Sequence, residues 1–203
     1  MVSSEFYSMT TMHQVISDST PAPIAWGAYA SNPNIHFFLC RFVDVIDEVP
    51  DVETFTVKIA ELHAQSSSPN GKYGFPVPTY MGQMAQYHTW TESWEEFFTL
   101  SMERLMTTIE ESQGPDEELR KLFGQTMSML VPRLLRPLET GGRQIKLSLV
   151  HGDLYSGIVS VDVETGRPVS VDVETGRPVL YDATCLYAHN ECKTSDLTAL
   201  SHR

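Results

Sequence analysis

The chain has 203 residues, 41% of them hydrophobic and 10% aromatic, enough for one core or a small two-lobed fold. Its formal net charge of −12 leaves no basic stripe to neutralise phosphodiesters, which argues against nucleic acid as a partner. An anionic small ligand would have to be met by metal ions and backbone N–H groups. The three cysteines, Cys40, Cys185 and Cys192, do not form a secreted disulfide framework. Residues 1–20 lack the basic start and apolar run of a signal peptide, and no apolar stretch approaches membrane-spanning length. A soluble, cytoplasmic protein with no membrane partner is expected.

Residues 4–16 place Phe6, Met9, Met12, His13 and Ile16 at helical spacing, with Ser3 or Ser4 as N-cap. The prolines at 21 and 23 end this helix. Residues 23–30 (PIAWGAYA) and 35–42 (IHFFLCRF) read as two strands joined by a turn at Ser31-Asn32-Pro33-Asn34. Residues 50–65 form a helix with Val52, Phe55, Ile59 and Leu62 on one face. Residues 66–88 are a long loop rich in Gly, Pro and Tyr, the kind that carries function in a compact domain.

Thr89 and Glu92 have capping-box spacing and open a long helix to about Ser112, with Trp94, Phe97, Phe98, Leu105 and Ile109 inward. Gly114-Pro115 breaks it. Asp116 opens another helix, which Pro132 kinks or ends and Pro137 stops. After the polar turn ETGGRQ, residues 145–150 lead as a strand into a loop. The order of helix, hairpin, helices, loop and hairpin predicts an α+β fold.

That loop, LVHGDLYSGI at 149–158, parallels the kinase catalytic loop H-R-D-x-x-x-x-N, in which the Asp takes the acceptor proton and the Asn holds magnesium. His151 and Asp153 stand in place, but Ile158 occupies the Asn position and offers a hard cation no oxygen. Immediately afterwards the decapeptide SVDVETGRPV occurs twice, at 160–169 and 170–179. Each copy reads as a short strand and a turn. An up-down-up meander would carry Asp182 about 17 Å from the loop; looping out the second copy, at roughly 0.6 kcal/mol of extra entropy, returns Asp182 to Asp153. The second arrangement is expected.

PIAWGAYA, HFFLCRF, AELHAQSSSPNGKYGF, TWTESWEEFF, VPRLLRPLETGGR, LVHGDLYSG and LYDATCLYAHNE together resemble the fructosamine-3-kinase (ketosamine-3-kinase, protein-ribulosamine 3-kinase) family, and more loosely the aminoglycoside phosphotransferases. The resemblance implies a protein-kinase-like fold, here incomplete, with residues 1–45 as a small-lobe remnant and 46–203 as part of the large lobe. It implies ATP and Mg2+ as cofactors and transfer of phosphate to the 3-hydroxyl of ketosamines on glycated proteins or small molecules. By resemblance Asp153 is the catalytic base and Asp182 a metal ligand. Glu5 is the helix acid that pairs with the ATP-binding lysine. Cys40, Arg41 and Phe42 form the hinge that meets adenine, and Gln86, His88 and Trp90 face the substrate.

The departures are Ile158, Tyr155 for Trp, Ala85 and His88 where the family favours Pro and Asn, and a first lysine only at Lys58. They predict impaired activity. Each residue also has a plainer reading. Asp153 could sit in a simple glycine turn, Glu5 could be a solvated first-turn acid, residues 40–42 an edge strand, and Trp90 a packing aromatic. A non-catalytic interaction module and an aminoglycoside-type phosphotransferase are the competing functions. Cys185, His189 and Cys192 lack a fourth ligand and a C-x-x-C pair, so zinc is not expected.

Overall fold

The computed structural model describes residues 1–47, 52–154, 170–172 and 177–192, with the backbone alone for 45–47 and 170–172. Helix α1 spans Val2–His13 and buries Ser4, Ser8, Met9 and Met12, while Ile16 beyond its end is also buried. Its inward face therefore includes two small hydroxyl residues besides the apolar ones. The small side chains let the helix approach another backbone closely, and the Ser8 hydroxyl accepts from the Cys185 N–H at 3.1 Å. Phe6 meets Phe38 edge to face at a centroid distance of 6.0 Å.

Strands β1 (Pro23–Tyr29) and β2 (Asn32–Cys40) pair antiparallel, with Tyr29 opposite Asn32. The turn is thus Ala30-Ser31, two residues earlier than expected. The Asn32 side chain accepts from the Asn34 N–H at 3.1 Å, an Asx turn inside the start of β2. Strand β3 (Val45–Asp47) is followed by α2 (Val52–Gln65), which buries Phe55, Ile59 and Leu62 as spaced. Val52, its first residue, stays 63% exposed.

The long loop that follows contains only a small hairpin, β4 (Tyr80–Met81) with β5 (Met84–Ala85). It nonetheless reaches the core. Tyr73 and Thr91 exchange two backbone hydrogen bonds, as do Gly74 and Tyr187, and these seat Tyr73 and Phe75 in the interior. Because Thr91 is still in extended pairing, α3 (Trp94–Gln113) starts late. Its cap is Ser93, accepting from the Glu96 N–H at 3.2 Å, the same box spacing displaced four residues from Thr89-Glu92.

Helix α4 (Glu117–Gln125) is capped by Asp116, as expected. It widens into a π turn over Thr126–Leu130, where the Val131 N–H reaches the Thr126 carbonyl. Helix α5 (Val131–Leu135) and a 3-10 turn (Arg136–Glu139) complete the segment. Pro132 lies in the first turn of α5, where a missing N–H is tolerated.

Strand β6 (Leu147–Val150) pairs with the last described strand, β8 (Leu186–His189). Between them, β7 (Ser170–Asp172) pairs with β3. The first residues of the second repeat copy are therefore laddered rather than looped out, because Ser-Val-Asp finds an open strand edge. The first copy lies outside the described residues, as do Tyr155 and Ile158.

One apolar cluster joins Met9, Met12 and Ile16 to Phe55, Leu62, Phe75, Phe97, Leu149 and Leu186. It spans both sides of residue 45, so the two expected units share a core. A half-buried carboxylate fastens its edge. Glu139 accepts from the Tyr73 hydroxyl at 2.6 Å and the Trp94 N–H at 2.7 Å, joining the 3-10 turn to the long loop and the start of α3. Burial and then this carboxylate hold the Tyr73 phenol far above its ordinary range. Replacing Glu139→Ala strands both donors and should lower stability by roughly 2–4 kcal/mol; a urea denaturation midpoint shift of that size checks it.

Candidate active site

The site begins with the β6–β8 ladder. Val150 is paired with Leu186, so the segments that leave β6 and enter β8 emerge at the same end. Asp153 lies three residues beyond Val150 and Asp182 four before Leu186. Both carboxylates line one cavity of about 230 Å3, together with Glu5, Ser4, Tyr80 and Thr184. The expected meeting of Asp153 and Asp182 is present, but its cause is β8 downstream rather than the looping out of a repeat copy.

The two segments are locked where they cross. The Thr184 N–H donates to the His151 carbonyl at 2.9 Å, and the His151 ring Nε2 lies 2.9 Å from the Tyr181 carbonyl. Gly152 has φ +88°, and a Cβ there would stand 2.0 Å from the Thr184 carbonyl oxygen. Only glycine fits. Asp182 itself adopts φ +57°, a left-handed conformation uncommon for non-glycine residues and tolerated best by Asn and Asp.

Electrostatics in the cavity are negative. Burial, and then the charge of Asp182, push the Glu5 carboxyl above its usual range. No lysine balances it among the residues lining the cavity. Lys58, the first in the chain, is bound to Asp18 and Glu61, each at 2.8 Å. His151 is fully buried and its imidazole is depressed to about 4, so it is neutral and structural. The Cys185 thiol, buried against Ser8, is pushed up to about 12 and is inert.

The remaining expected residues divide. Arg41 and Phe42 line a separate cavity of about 470 Å3 with His13, Asp18 and Ser19; Phe42 is 85% exposed. The Arg41 N–H is engaged by the Ala22 carbonyl at 2.8 Å, and Cys40 pairs with Pro23 at the strand end. Gln86 donates from Nε2 to Thr79 at 3.2 Å and to the Thr184 carbonyl at 3.3 Å, bracing the Asp182 loop. The His88 carbonyl accepts from the Phe75 N–H. Trp90 stacks on Tyr187 at 6.1 Å. Thr184, Thr79 and the Ser8–Cys185 tie escaped sequence reasoning; the only signal was Gly152, whose need for space implies a close neighbour.

Among the described residues, no group of three or more His, Cys, Asp and Glu could hold a metal. Magnesium bound with a nucleotide needs only one or two carboxylates, the phosphates supplying the other oxygens. Asp153 and Asp182, in a cavity lined by no lysine or arginine, fit that requirement.

Sequence comparison places the chain in a kinase family. The family described as Fructosamine kinase matches residues 1–200, and the chain belongs to that family. It is 29% identical over 196 residues to a chloroplastic protein-ribulosamine 3-kinase of Oryza sativa subsp. indica, covering 94% of this chain and 50% of that protein. It is 28% identical over 120 residues to the ketosamine-3-kinase of Mus musculus, covering 59% and 33%. A fructosamine-3-kinase structure from Thermobifida fusca YX-ER1 superposes with TM-score 0.70 at 16% identity, covering 97% of this chain and 59% of the other. One from Haemophilus somnus 129PT gives 0.61 at 22%, covering 95% and 57%. Those identities speak to the fold alone. The chain spans about half the length of the plant relatives it matches.

Two outcomes test the crossing. Gly152→Ala should cost more than about 3 kcal/mol or prevent folding, read by chemical denaturation. The depressed His151 means the unfolded chain binds a proton that the folded one refuses between pH 6.5 and about 4. Its contribution is therefore intact above pH 6.5 and is lost as pH falls through that window, by on the order of 3 kcal/mol. The thermal midpoint of His151→Gln should fall less steeply with acid than that of the native chain.

Proposed function

We propose that this chain carries the catalytic carboxylates of a protein-kinase-like, ATP-dependent ketosamine kinase, acting on the 3-hydroxyl of ribulosamine or fructosamine adducts on proteins or as small molecules. The observation that supports this best is the shared cavity of Asp153 and Asp182. Asp153 orients the acceptor hydroxyl and takes its proton as the oxygen bonds to the γ-phosphorus. The bond to the β-phosphate bridging oxygen breaks and ADP leaves. Asp182, fixed by its left-handed backbone and by the braced Thr184, would hold magnesium, which supplies neutralisation of the phosphate charge.

The hinge assignment for Cys40, Arg41 and Phe42 belongs to this reading, as does the division at residue 45 into a small-lobe and a large-lobe part. So does a cytoplasmic setting: no described helix is long and apolar enough to cross a membrane. The same reading includes impairment. Glu5 faces Asp182 rather than a lysine, and Ile158 replaces a metal ligand.

Steady-state assay with Mg-ATP and a ribulosyl-lysine peptide should show turnover well below the ~1–100 s⁻¹ usual for kinases, reduced at least about a hundredfold further by Asp153→Asn. Turnover inside that range would remove the impairment. The converging acids favour one competing reading, a non-catalytic interaction module. Mg-ATP at 100 times its dissociation constant should add ~2.7 kcal/mol of stability; no thermal shift together with no turnover would leave the module.

A further inference from the structure

Beside the carboxylate cavity lies a second one, of about 190 Å3, which the phosphotransfer reading does not use. The two share a wall. Successive strand residues face opposite ways, and in the β4–β5 hairpin Tyr80 lines the carboxylate cavity while Met81 and Met84 line the second. The opposite side is α3, presenting Phe97, Phe98 and Met102. Methionine side chains adapt their shape and suit aromatic contact, and an apolar cavity of about 150 Å3 is large enough for a benzene ring.

Its polar groups are few and unequal. The Gln86 amide is committed to Thr79 and Thr184. No Asp or Glu lines the cavity, and Arg104 is the single charged residue that does, among those described. Acids outnumber bases 26 to 14 in this chain; among the described bases Lys58, Lys72, Arg120, Arg136 and Arg177 have carboxylate partners, while Arg104 is one of several that do not. The Arg104 backbone carbonyl accepts from the Thr108 hydroxyl at 3.0 Å. Its guanidinium has no carboxylate among the described residues. A guanidinium is a fork for a carboxylate, and here it stands at an apolar cavity.

We propose that this cavity binds a small amphipathic carboxylate, an aromatic or branched aliphatic body seated among Met81, Met84, Met102 and Phe98 with its carboxylate on Arg104. Neither Asp153 nor Asp182 lines this site. Gln86 makes its wall continuous with the Asp182 loop.

The test is methyl NMR of the whole chain labelled at its methionine methyl groups, titrated with 3-phenylpropionate and with the neutral 3-phenylpropanol. Saturable shifts are expected at Met81, Met84 and Met102, and none at Met129, exposed on the far π turn. The acid should bind about tenfold more tightly than the alcohol. Arg104→Gln, on an exposed helix surface, should erase that preference and leave alcohol binding intact; Met102→Trp should weaken both. Shifts absent at about 10 mM, spread over all nine methionines, or equal for acid and alcohol would overturn the proposal. None of these readouts involves ATP or turnover, so the result stands apart from the kinase assay.

Discussion

Where residues 151–153 cross residues 181–184, the two backbones approach until no side chain can stand between them. Gly152 lies against the Thr184 carbonyl, the Thr184 N–H returns to His151, and the imidazole of His151 closes the third side on Tyr181. Buried backbone groups need partners, and here each segment supplies the other's. The β6–β8 ladder brings the segments to one end; the crossing converts that approach into a fixed separation of two acids.

The crossing also reaches α1. Ser8 accepts from Cys185 one residue beyond Thr184, a partner for the hydroxyl that the helix turns inward. Glu5, one turn earlier, is thereby held near Asp182. Two acids drawn together there, offset only in part by the amino-terminal charge, form an unfavourable local arrangement that the surrounding packing sustains, as functional sites commonly do.

Helices were legible where apolar spacing and caps agreed: Phe55, Ile59 and Leu62 in α2, and Asp116 as the cap of α4. Starts were less so. Thr89-Glu92 and Ser93-Glu96 carry the same local signal, and the choice between them is made by the pairing of Tyr73 with Thr91, a contact far apart in sequence. The stretch at 66–88 read as a long loop, but its small hairpin and its burial of Tyr73 and Phe75 follow from pairings, two of them tertiary, that no local pattern encodes. Asp153 was singled out by the spacing of the kinase loop, Asp182 and Glu5 by resemblance, and all three line one cavity. Arg41 and Phe42 fall on another cavity, since the end of β2 is drawn toward Ala22. Gln86 bonds to Thr79 and the Thr184 carbonyl and Trp90 stacks on Tyr187, contacts that depend on which way a side chain turns.

The backbone of Asp182 carries a lesson for anyone dissecting this pocket. At φ +57° the β-carbon is tolerated because a short polar side chain can satisfy itself locally, whereas alanine has no such compensation. Truncating the residue would therefore perturb the peptide geometry along with the charge, and the two effects would be inseparable in any rate. Asparagine keeps the shape and the turn, and so is the cleaner deletion of the negative charge.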